Sequence, residues 1–237
     1  MTERLFLEDA YLRQTTARVE QSSAAGIALD RTVFYARSGG QPGDSGVLRW
    51  DGGETRIAET IKGDGDLILH VPAAGAALPP IGAEVAGEID WAPRLALMKM
   101  HTAMHLMCAV LPGIAVTGGS VGGDRARLDF NLPEAPDKAA IEAALNALIA
   151  GDHPVSHQWV DESVLDTNPS LVRTLSVQPP RGTGRLRLVR IGTGEIPIDL
   201  QPCGGTHVAR TGEIGSMAVQ KIENKGKQNR RIIIVPG

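Results

Sequence analysis

Short alternating apolar segments, separated by glycine and proline turns, dominate residues 1–90 of the chain. Alternation with a period of two is typical of half-buried strands, and Asp-Gly, Gly-Asp-Gly and Pro-Pro steps mark the turns between them. Many short strands at close spacing favour a small barrel. The pattern predicts strands at residues 16–21, 26–31, 46–49, 55–61, 67–71 and 84–89, with a loop rich in alanine and proline at residues 73–80.

The pattern changes to a helical period at residue 90. Asp90 is a suitable helix cap and Pro93 suits a first helical turn. The spacing predicts a helix over residues 93–111, which Pro112-Gly113 ends. One stripe of this helix faces the core, and it consists of Leu97, His101, Met104, His105 and Cys108.

The remainder of the chain mixes helical and strand patterns. A strand is predicted at 125–132, a helix at 136–150 that ends at Gly151 as a C-terminal cap, a strand at 157–160 and a mixed segment at 161–174. The tail predicts one sheet with strands at 185–191, 196–200, 216–223 and 231–235. The expected fold is therefore α+β, with a small N-terminal β-barrel over residues 1–91 followed by a two-layer α/β domain over residues 92–237.

Two short motifs about a hundred residues apart carry the candidate chemistry. His101 and His105 form an H-x-x-x-H pair on one helix face, and Cys203 and His207 form a C-x-x-x-H pair in a glycine-rich loop. Thiolate and imidazole together suit a tetrahedral Zn²⁺. Either motif alone is more often structural, but three of the six His and one of the two Cys occur in these pairs. We expect one zinc ion on the four residues, with Cys108 in the core.

Two common classes of zinc protein are excluded by the details of these motifs. A zincin protease requires Glu directly after the first His, and Thr102 stands there. A classical zinc finger holds its ligand pairs much closer together. The metal is expected to tie two distant segments of a larger fold.

Composition narrows the class further. The chain has 237 residues, of which 42% are hydrophobic and 22% charged, with a net charge of −3 and eight aromatic residues. These values indicate a globular protein without a broad base-stacking platform or a general nucleic-acid affinity. The N-terminus lacks the apolar core of a signal peptide, apolar runs are too short for a membrane span, and two cysteines cannot form a disulfide framework. A cytoplasmic location is expected.

Five segments, in order along nearly the whole chain, resemble the editing domain of alanyl-tRNA synthetases and its free-standing relatives, the alanyl-tRNA editing hydrolases of the AlaX group. They are FYARSGGQPGDSG at 34–46, HTAMHL at 101–106, TGGSV at 117–121 followed by RLDF at 127–130, CGGTHV at 203–208 and ENKGKQNRRI at 223–232. The synthetase-borne domain usually has Gln where Thr117 stands here. Threonyl-tRNA editing domains share the metal motifs, but the 38–46 loop favours the alanine branch.

The resemblance implies hydrolysis of the ester that joins a wrong amino acid to alanine tRNA, chiefly serine and possibly glycine. A pocket for alanine rejects an isostere with an added hydroxyl by only about 10²-fold, so a second sieve is needed. No synthetase part precedes the matched segments and no long extension follows them, so an editing domain acting in trans is expected. The candidate substrate-binding residues are Gly40, Gln41, Thr117, Gly118, Gly119 and Thr206. Zinc would either activate water or only orient the aminoacyl group, and no residue beyond the zinc ligands is assigned to catalysis.

Basic residues near the C-terminus form the clearest candidate RNA contact. Phosphates of the tRNA acceptor end are the natural partners of Lys221, Lys225, Lys227, Arg230 and Arg231. A second cluster, with a solvated strand face as the equal alternative, consists of Arg181, Arg185, Arg187 and Arg190. Two other functions stay open at this point: a zinc hydrolase of another small ester or amide, and a non-catalytic tRNA-binding module with a structural zinc.

Overall fold

The computed structural model of the chain describes residues 1–175, 179 and 182–237. The chain divides into two compact units, Met1–Leu95 and Ala96–Gly237. The domain boundary at residue 91 that the change of pattern indicates stays a prediction. Each unit has its own sheets.

Strands make up most of the first unit. In chain order they are β1 (Glu3–Arg4), β2 (Gln14–Ser23), β3 (Gly26–Leu29), β4 (Arg31–Thr32), β5 (Gly46–Trp50), β6 (Gly53–Lys62), β7 (Ile68–Pro72) and β8 (Glu84–Ile89). A 3-10 helix, Leu5–Leu7, follows β1. The six longer strands close into a barrel in the order β2-β3-β7-β6-β5-β8, so the predicted barrel is confirmed. β1 and β4 form a separate parallel pair that the pattern did not predict.

The interior of the barrel follows directly from the alternation. In β2, Ala17 and Val19 are buried while Arg18 and Glu20 are exposed, as a half-buried strand requires. Leu48, Ile57 and Val85 from other strands complete the same cluster. Alternation is a reliable indicator in β2 because one face of that strand packs on this core and the other faces water, whereas all four residues of β3 are buried.

His70 is a fully buried histidine in the barrel, and its hydrogen bonds define a neutral ring. Its Nδ1 lies 2.9 Å from the carbonyl oxygen of Ile27, to which it donates. Its Nε2 lies 2.7 Å from Oγ1 of Thr32 and accepts that hydroxyl proton, while the Phe34 amide donates to the same Thr32 oxygen. Burial lowers the pKa of His70 from 6.5 to about 4, because a charged ring would lose its hydration.

We expect the first unit to lose stability as the pH falls through this range. The unfolded chain protonates His70 near pH 6.5 and the folded chain only near pH 4. The neutral ring therefore contributes about 3 kcal/mol to the free energy of unfolding above pH 6.5, and this contribution is lost toward pH 4. Urea unfolding at pH 7 and pH 4 should show a smaller pH dependence for His70→Gln than for the unchanged protein. A His70 ring that titrates near pH 6.5 in the folded protein, measured by NMR, would contradict this account.

The elements from residue 91 onward are α1 (Trp91–Val110), β9 (Val116–Val121), β10 (Ala126–Phe130), α2 (Lys138–Ala150), β11 (Val155–Asp161), α3 (Val164–Thr167), β12 (Arg185–Ile191), β13 (Asp199–Pro202), β14 (Met217–Asn224) and β15 (Arg230–Pro236). Short 3-10 helices lie at Pro169–Leu171 and Thr211–Ile214. One antiparallel sheet has the order β14-β15-β10-β9 and another the order β11-β12-β13. The predicted α+β class is confirmed.

The prediction of one sheet in the tail was wrong. β12 and β13 pair with β11, whereas β14 and β15 join β10, where Leu128 lies opposite Ile232. The alternation within a strand shows which of its faces is buried but not which strand it pairs with. The sheet that each tail strand joins was therefore not visible in the sequence. The strand predicted at 196–200 begins three residues later and ends two residues later, and Ile196 is 89% exposed.

Helix α2 begins and ends close to its predicted limits. The Asp137 side chain caps it by accepting from the Ala140 amide at 2.7 Å, and Gly151 is its C-cap. Ile141, Leu145 and Ile149 form its buried face. No helix within the described residues is both long and apolar enough to cross a membrane.

Candidate metal centre

The two histidines of α1 lie on one buried face of the helix, as the i, i+4 spacing requires. His101 is 8% and His105 5% exposed, and their ring centroids are 5.4 Å apart. Buried imidazoles need partners for their ring nitrogens. In this helix the partners come from the C-terminal half of the chain.

The Cys203–His207 loop follows β13 and brings the second pair of side chains to the same place. Arg187 of β12 holds this loop, since its Nη1 donates to the carbonyl oxygens of Cys203 at 2.8 Å and Gly205 at 3.2 Å. The Gly205 amide lies 3.3 Å from the Cys203 Sγ and donates to it. The loop conformation thus points the sulfur toward the helix.

The four side chains converge on one point. One ligand atom from each of His101, His105, Cys203 and His207 lies within 4.8 Å of all the others. The Cys203 Sγ is 3.6 Å from Nε2 of His101 and 3.3 Å from Nε2 of His207. Sulfur and nitrogen ligands of one tetrahedral zinc are separated by about 3.5 Å, given ordinary metal–ligand distances. The donor set and its spacing therefore fit a single metal ion.

Three further residues fix the orientation of the imidazole rings. His105 Nδ1 donates to Oδ2 of Asp199 at 2.9 Å, and the Gln201 amide donates to the same oxygen at 2.8 Å. Thr102 Oγ1 donates to the Met98 carbonyl and accepts from His207 Nδ1 at 3.1 Å. Both rings therefore point Nε2 toward the cluster. Outer partners of metal-bound histidines orient their rings in the same way.

The electrostatics of the cluster favour a thiolate. Burial opposes ionisation of Cys203, but the neighbouring imidazoles of His101 and His207 outweigh it and lower its pKa well below 9. Burial lowers the pKa of His207 to about 3. Burial acts in the same direction on His105, but its hydrogen bonds to Asp199 and Cys203 raise its pKa to about 10. A thiolate is the form of cysteine that binds metal, and a metal ion that binds His105 displaces its second proton.

Strand β9 carries three of the predicted substrate-binding residues and approaches α1 at Met104. A Cβ atom on Gly119 would lie 3.2 Å from Cε of Met104, the residue before His105. Thr117 occupies a bulge, because Gly118 pairs with Asp129 and Val116 pairs with Phe130. Bulges of this kind re-aim a side chain, and here the Thr117 hydroxyl donates to the Asp129 carbonyl at 3.1 Å.

The other predicted substrate-binding residues have different surroundings. Thr206 is completely buried inside the metal loop, which favours a structural role for its hydroxyl. Gly40 and Gln41 belong to the first unit, where Gly40 has a φ of 83° and Gln41 is fully buried. The left-handed backbone explains the glycine at position 40 without a ligand.

The predicted RNA-binding residues lie on or next to the hairpin of β14 and β15. Lys221 and Lys225 both pair with Glu223. Arg230 donates to the backbone carbonyls of Pro133, Gly226 and Asn229, and Arg231 holds the Asp129 carboxylate. These internal bonds favour a structural role for the two arginines. Lys227 is exposed in the turn.

The second basic cluster separates into different roles. Arg187 is 8% exposed and holds the metal loop, a role that the charge pattern did not indicate. Arg185 stacks over the ring of Trp159 at 4.5 Å, and Arg190 donates to the carbonyl oxygen of Gly192. Arg181 lies outside the described residues.

Comparisons with known proteins match parts of this chain to domains of tRNA synthetases. The family model described as "Threonyl and Alanyl tRNA synthetase second additional domain" matches residues 186–233, and that described as "tRNA synthetases class II (A)" matches residues 6–93. Alanine–tRNA ligase of Pyrobaculum aerophilum is 36% identical over 246 residues, which cover all of this chain. The chain spans only 27% of the length of that ligase.

Shorter relatives match along almost their entire length. The alanyl-tRNA editing protein AlaX-M of Methanosarcina acetivorans is 38% identical over 98% of both chains. AlaX-M of Saccharolobus solfataricus is 32% identical, also over 98% of both. The resemblance noted in the motifs is confirmed, and the chain belongs to the family of alanyl-tRNA editing proteins that includes AlaX-M.

Proposed function

We propose that this protein is a zinc-containing aminoacyl-tRNA deacylase that acts in trans on mischarged alanine tRNA. Its substrate would be tRNA(Ala) that carries serine, with the glycyl ester as the second candidate. The observation that carries the proposal is the cluster of three imidazoles and one cysteine sulfur, in a chain that aligns with AlaX-M of Methanosarcina acetivorans over 98% of its length.

The donor set supports zinc as the metal. Thiolate and imidazole together favour a borderline-soft ion, and the spacing of the donors suits a tetrahedral shell. When bound, zinc supplies Lewis acidity that polarises a coordinated oxygen. Elemental analysis of the purified protein tests the identity of the metal, with one zinc per chain as the expected result.

Selection of serine over alanine would depend on a polar group that only serine satisfies. Such a site favours the substrate with the hydroxyl, because the alanyl ester leaves a buried donor or acceptor unpaired. Thr117 is the candidate for this role, since it occupies a bulge of β9 and the same strand approaches α1 at Met104. Its hydroxyl donates to Asp129, and the same oxygen can accept from a substrate hydroxyl.

The exposed lysines of the β14–β15 turn would hold the acceptor-end phosphates. We expect the double substitution Lys225→Ala with Lys227→Ala to weaken tRNA binding and to lower the slope of log affinity against log salt by about 1 for each phosphate that is no longer neutralised. Binding titrations at several salt concentrations measure both quantities. Lys62→Ala, which removes one exposed charge from β6, is the control. Equal affinity and slope for the double variant and the unchanged protein would rule out this surface.

The activity itself is tested by single-turnover hydrolysis of seryl-, glycyl- and alanyl-tRNA(Ala). The proposal expects rapid loss of the seryl ester while the alanyl ester is spared. Hydrolysis of small esters with no effect of the lysine substitutions would instead favour a different hydrolase. Binding of tRNA without turnover would favour a non-catalytic module.

A further inference from the structure

Asp199, next to the metal centre, is a buried carboxylate with an unusual set of partners. Its residue is 1% exposed. Oδ2 accepts from His105 Nδ1 at 2.9 Å and from Gln201 Nε2 at 2.8 Å. Oδ1 is buried and has no hydrogen-bond partner among the described residues. An aspartate this deeply buried is normally paired with a charge or held by several donors.

The hydrogen bonds at Oδ2 fix which atom of His105 faces the metal ligands. Two nitrogens, His105 Nδ1 and Gln201 Nε2, approach the same carboxylate oxygen, and each donates a hydrogen bond to it. His105 therefore keeps a proton on Nδ1, and its Nε2 is the atom left to bind a metal ion. Only the imidazole ring of His105 then separates Asp199 from a metal ion bound to that histidine.

The donor set leaves one positive charge of a bound divalent ion unbalanced, and the Asp199 carboxylate can balance it. One thiolate and three neutral imidazoles around a divalent ion leave a net charge of one positive unit in a buried site, where an uncompensated charge is costly. We propose that Asp199 is a positioning residue that completes the centre: it supplies the balancing negative charge and orients His105, with Gln201 holding the carboxylate in place. This inference rests on the proposed divalent metal and goes beyond the four ligands.

The contribution of the charge is separated from that of shape by two substitutions. Asp199→Asn keeps an oxygen that accepts from His105 but removes the charge, whereas Asp199→Ala removes both. Outer partners of metal-bound histidines typically contribute 10- to 100-fold to metal affinity. We expect Asp199→Asn to weaken Zn²⁺ binding by about 10-fold or more, and Asp199→Ala to weaken it further. Asp161→Asn, which removes an exposed carboxylate from β11 of the same sheet, should leave the affinity unchanged.

Competition with a chromophoric chelator measures these affinities on the full chain. Co²⁺ substitution adds a readout that a structural role would not move: the sulfur-to-cobalt charge-transfer band should persist in Asp199→Asn while the ligand-field bands shift. Equal Zn²⁺ affinity in Asp199→Asn and the unchanged protein would overturn the inference.

A measurement on the unchanged protein covers the case in which the variants do not fold. Nitrogen-15 NMR of the zinc-loaded chain should show a protonated Nδ1 and a metal-bound Nε2 for His105. Metal on Nδ1 would overturn the inference. Failure of the unchanged protein to bind zinc at all would instead defeat the proposed metal centre, so the two failures are distinguishable.

Discussion

Cys203→Ala is expected to lower zinc affinity by more than about 100-fold and to reduce deacylation in the same proportion at limiting zinc. Loss of an outer partner already reduces metal affinity 10- to 100-fold, so loss of a direct ligand should exceed that range. Cys203 is the one thiolate among the four donors, and its removal also raises the net charge around a bound divalent ion. Chelator competition measures the affinity, and the Co²⁺ form should lose its sulfur charge-transfer band.

The second cysteine of the chain is a matched control for this substitution. Cys108 lies on the same helix as His101 and His105 but is buried in the core, where burial raises the pKa of its thiol to about 12. Cys108→Ala should keep both one zinc per chain and the charge-transfer band. If Cys203→Ala bound zinc as tightly as Cys108→Ala, Cys203 would not be a ligand.

Arg94→Leu is expected to destabilise the first unit by about 3–5 kcal/mol. The Arg94 guanidinium is 0% exposed, and it binds the buried Asp44 carboxylate through Nε at 3.0 Å to both oxygens. It also donates to the carbonyl oxygens of Val33 at 2.6 Å and Ala10 at 2.8 Å. The substitution leaves a buried negative charge without its partner and removes the donor from one buried and one partly buried carbonyl. Urea unfolding, followed by tryptophan fluorescence, measures the change.

An exposed arginine pair provides the comparison. Arg49 binds Glu54 and Glu88 on the barrel surface, where its side chain is 51% exposed. Water screens pairs of this kind, so Arg49→Leu should change the unfolding free energy little. Equal effects of the two substitutions would mean that the buried pair contributes no more than a surface pair.

The role of Asp44 also explains part of the 34–46 motif in structural terms. Besides Arg94, its Oδ2 accepts from the Tyr35 amide at 2.6 Å, so the carboxylate closes the loop on itself. A Cβ atom on Gly43 would lie 1.9 Å from the carbonyl oxygen of Thr60, which only glycine permits. This loop shape does not require a ligand. Contacts within the fold thus account for part of the 34–46 motif.

Strand and helix positions were largely predictable because periodicity is a property of single segments. β8 has its predicted limits, and α1 and α2 each lie within two residues of theirs. Pairing between segments was not predictable from the same pattern. The parallel pair β1–β4 and the assignment of β14 to the sheet of β10 depend on tertiary contacts that no local pattern specifies.

The four side chains of the candidate metal centre were predicted to lie together because His and Cys at spacings of four are chemically distinctive. The residues that orient them were missed for the opposite reason. Asp199 and Gln201 alternate along a short strand and look like an ordinary polar face, and Thr102 resembles any helix threonine. Arg187 was grouped with neighbouring arginines by charge, although its buried guanidinium holds the metal loop. Arg187 alternates with Leu186 and Leu188 as a solvent-facing strand residue would, so the local pattern carried no signal of its burial.

The central claim is that the buried His and Cys centre supports hydrolysis of a mischarged alanine tRNA. Single-turnover deacylation of seryl- and alanyl-tRNA(Ala), before and after removal of zinc and again after its return, tests this most directly. We predict rapid loss of serine with alanine spared, abolished when zinc is removed and restored when it is returned. Seryl-tRNA(Ala) that stays intact with zinc fully bound would contradict the account.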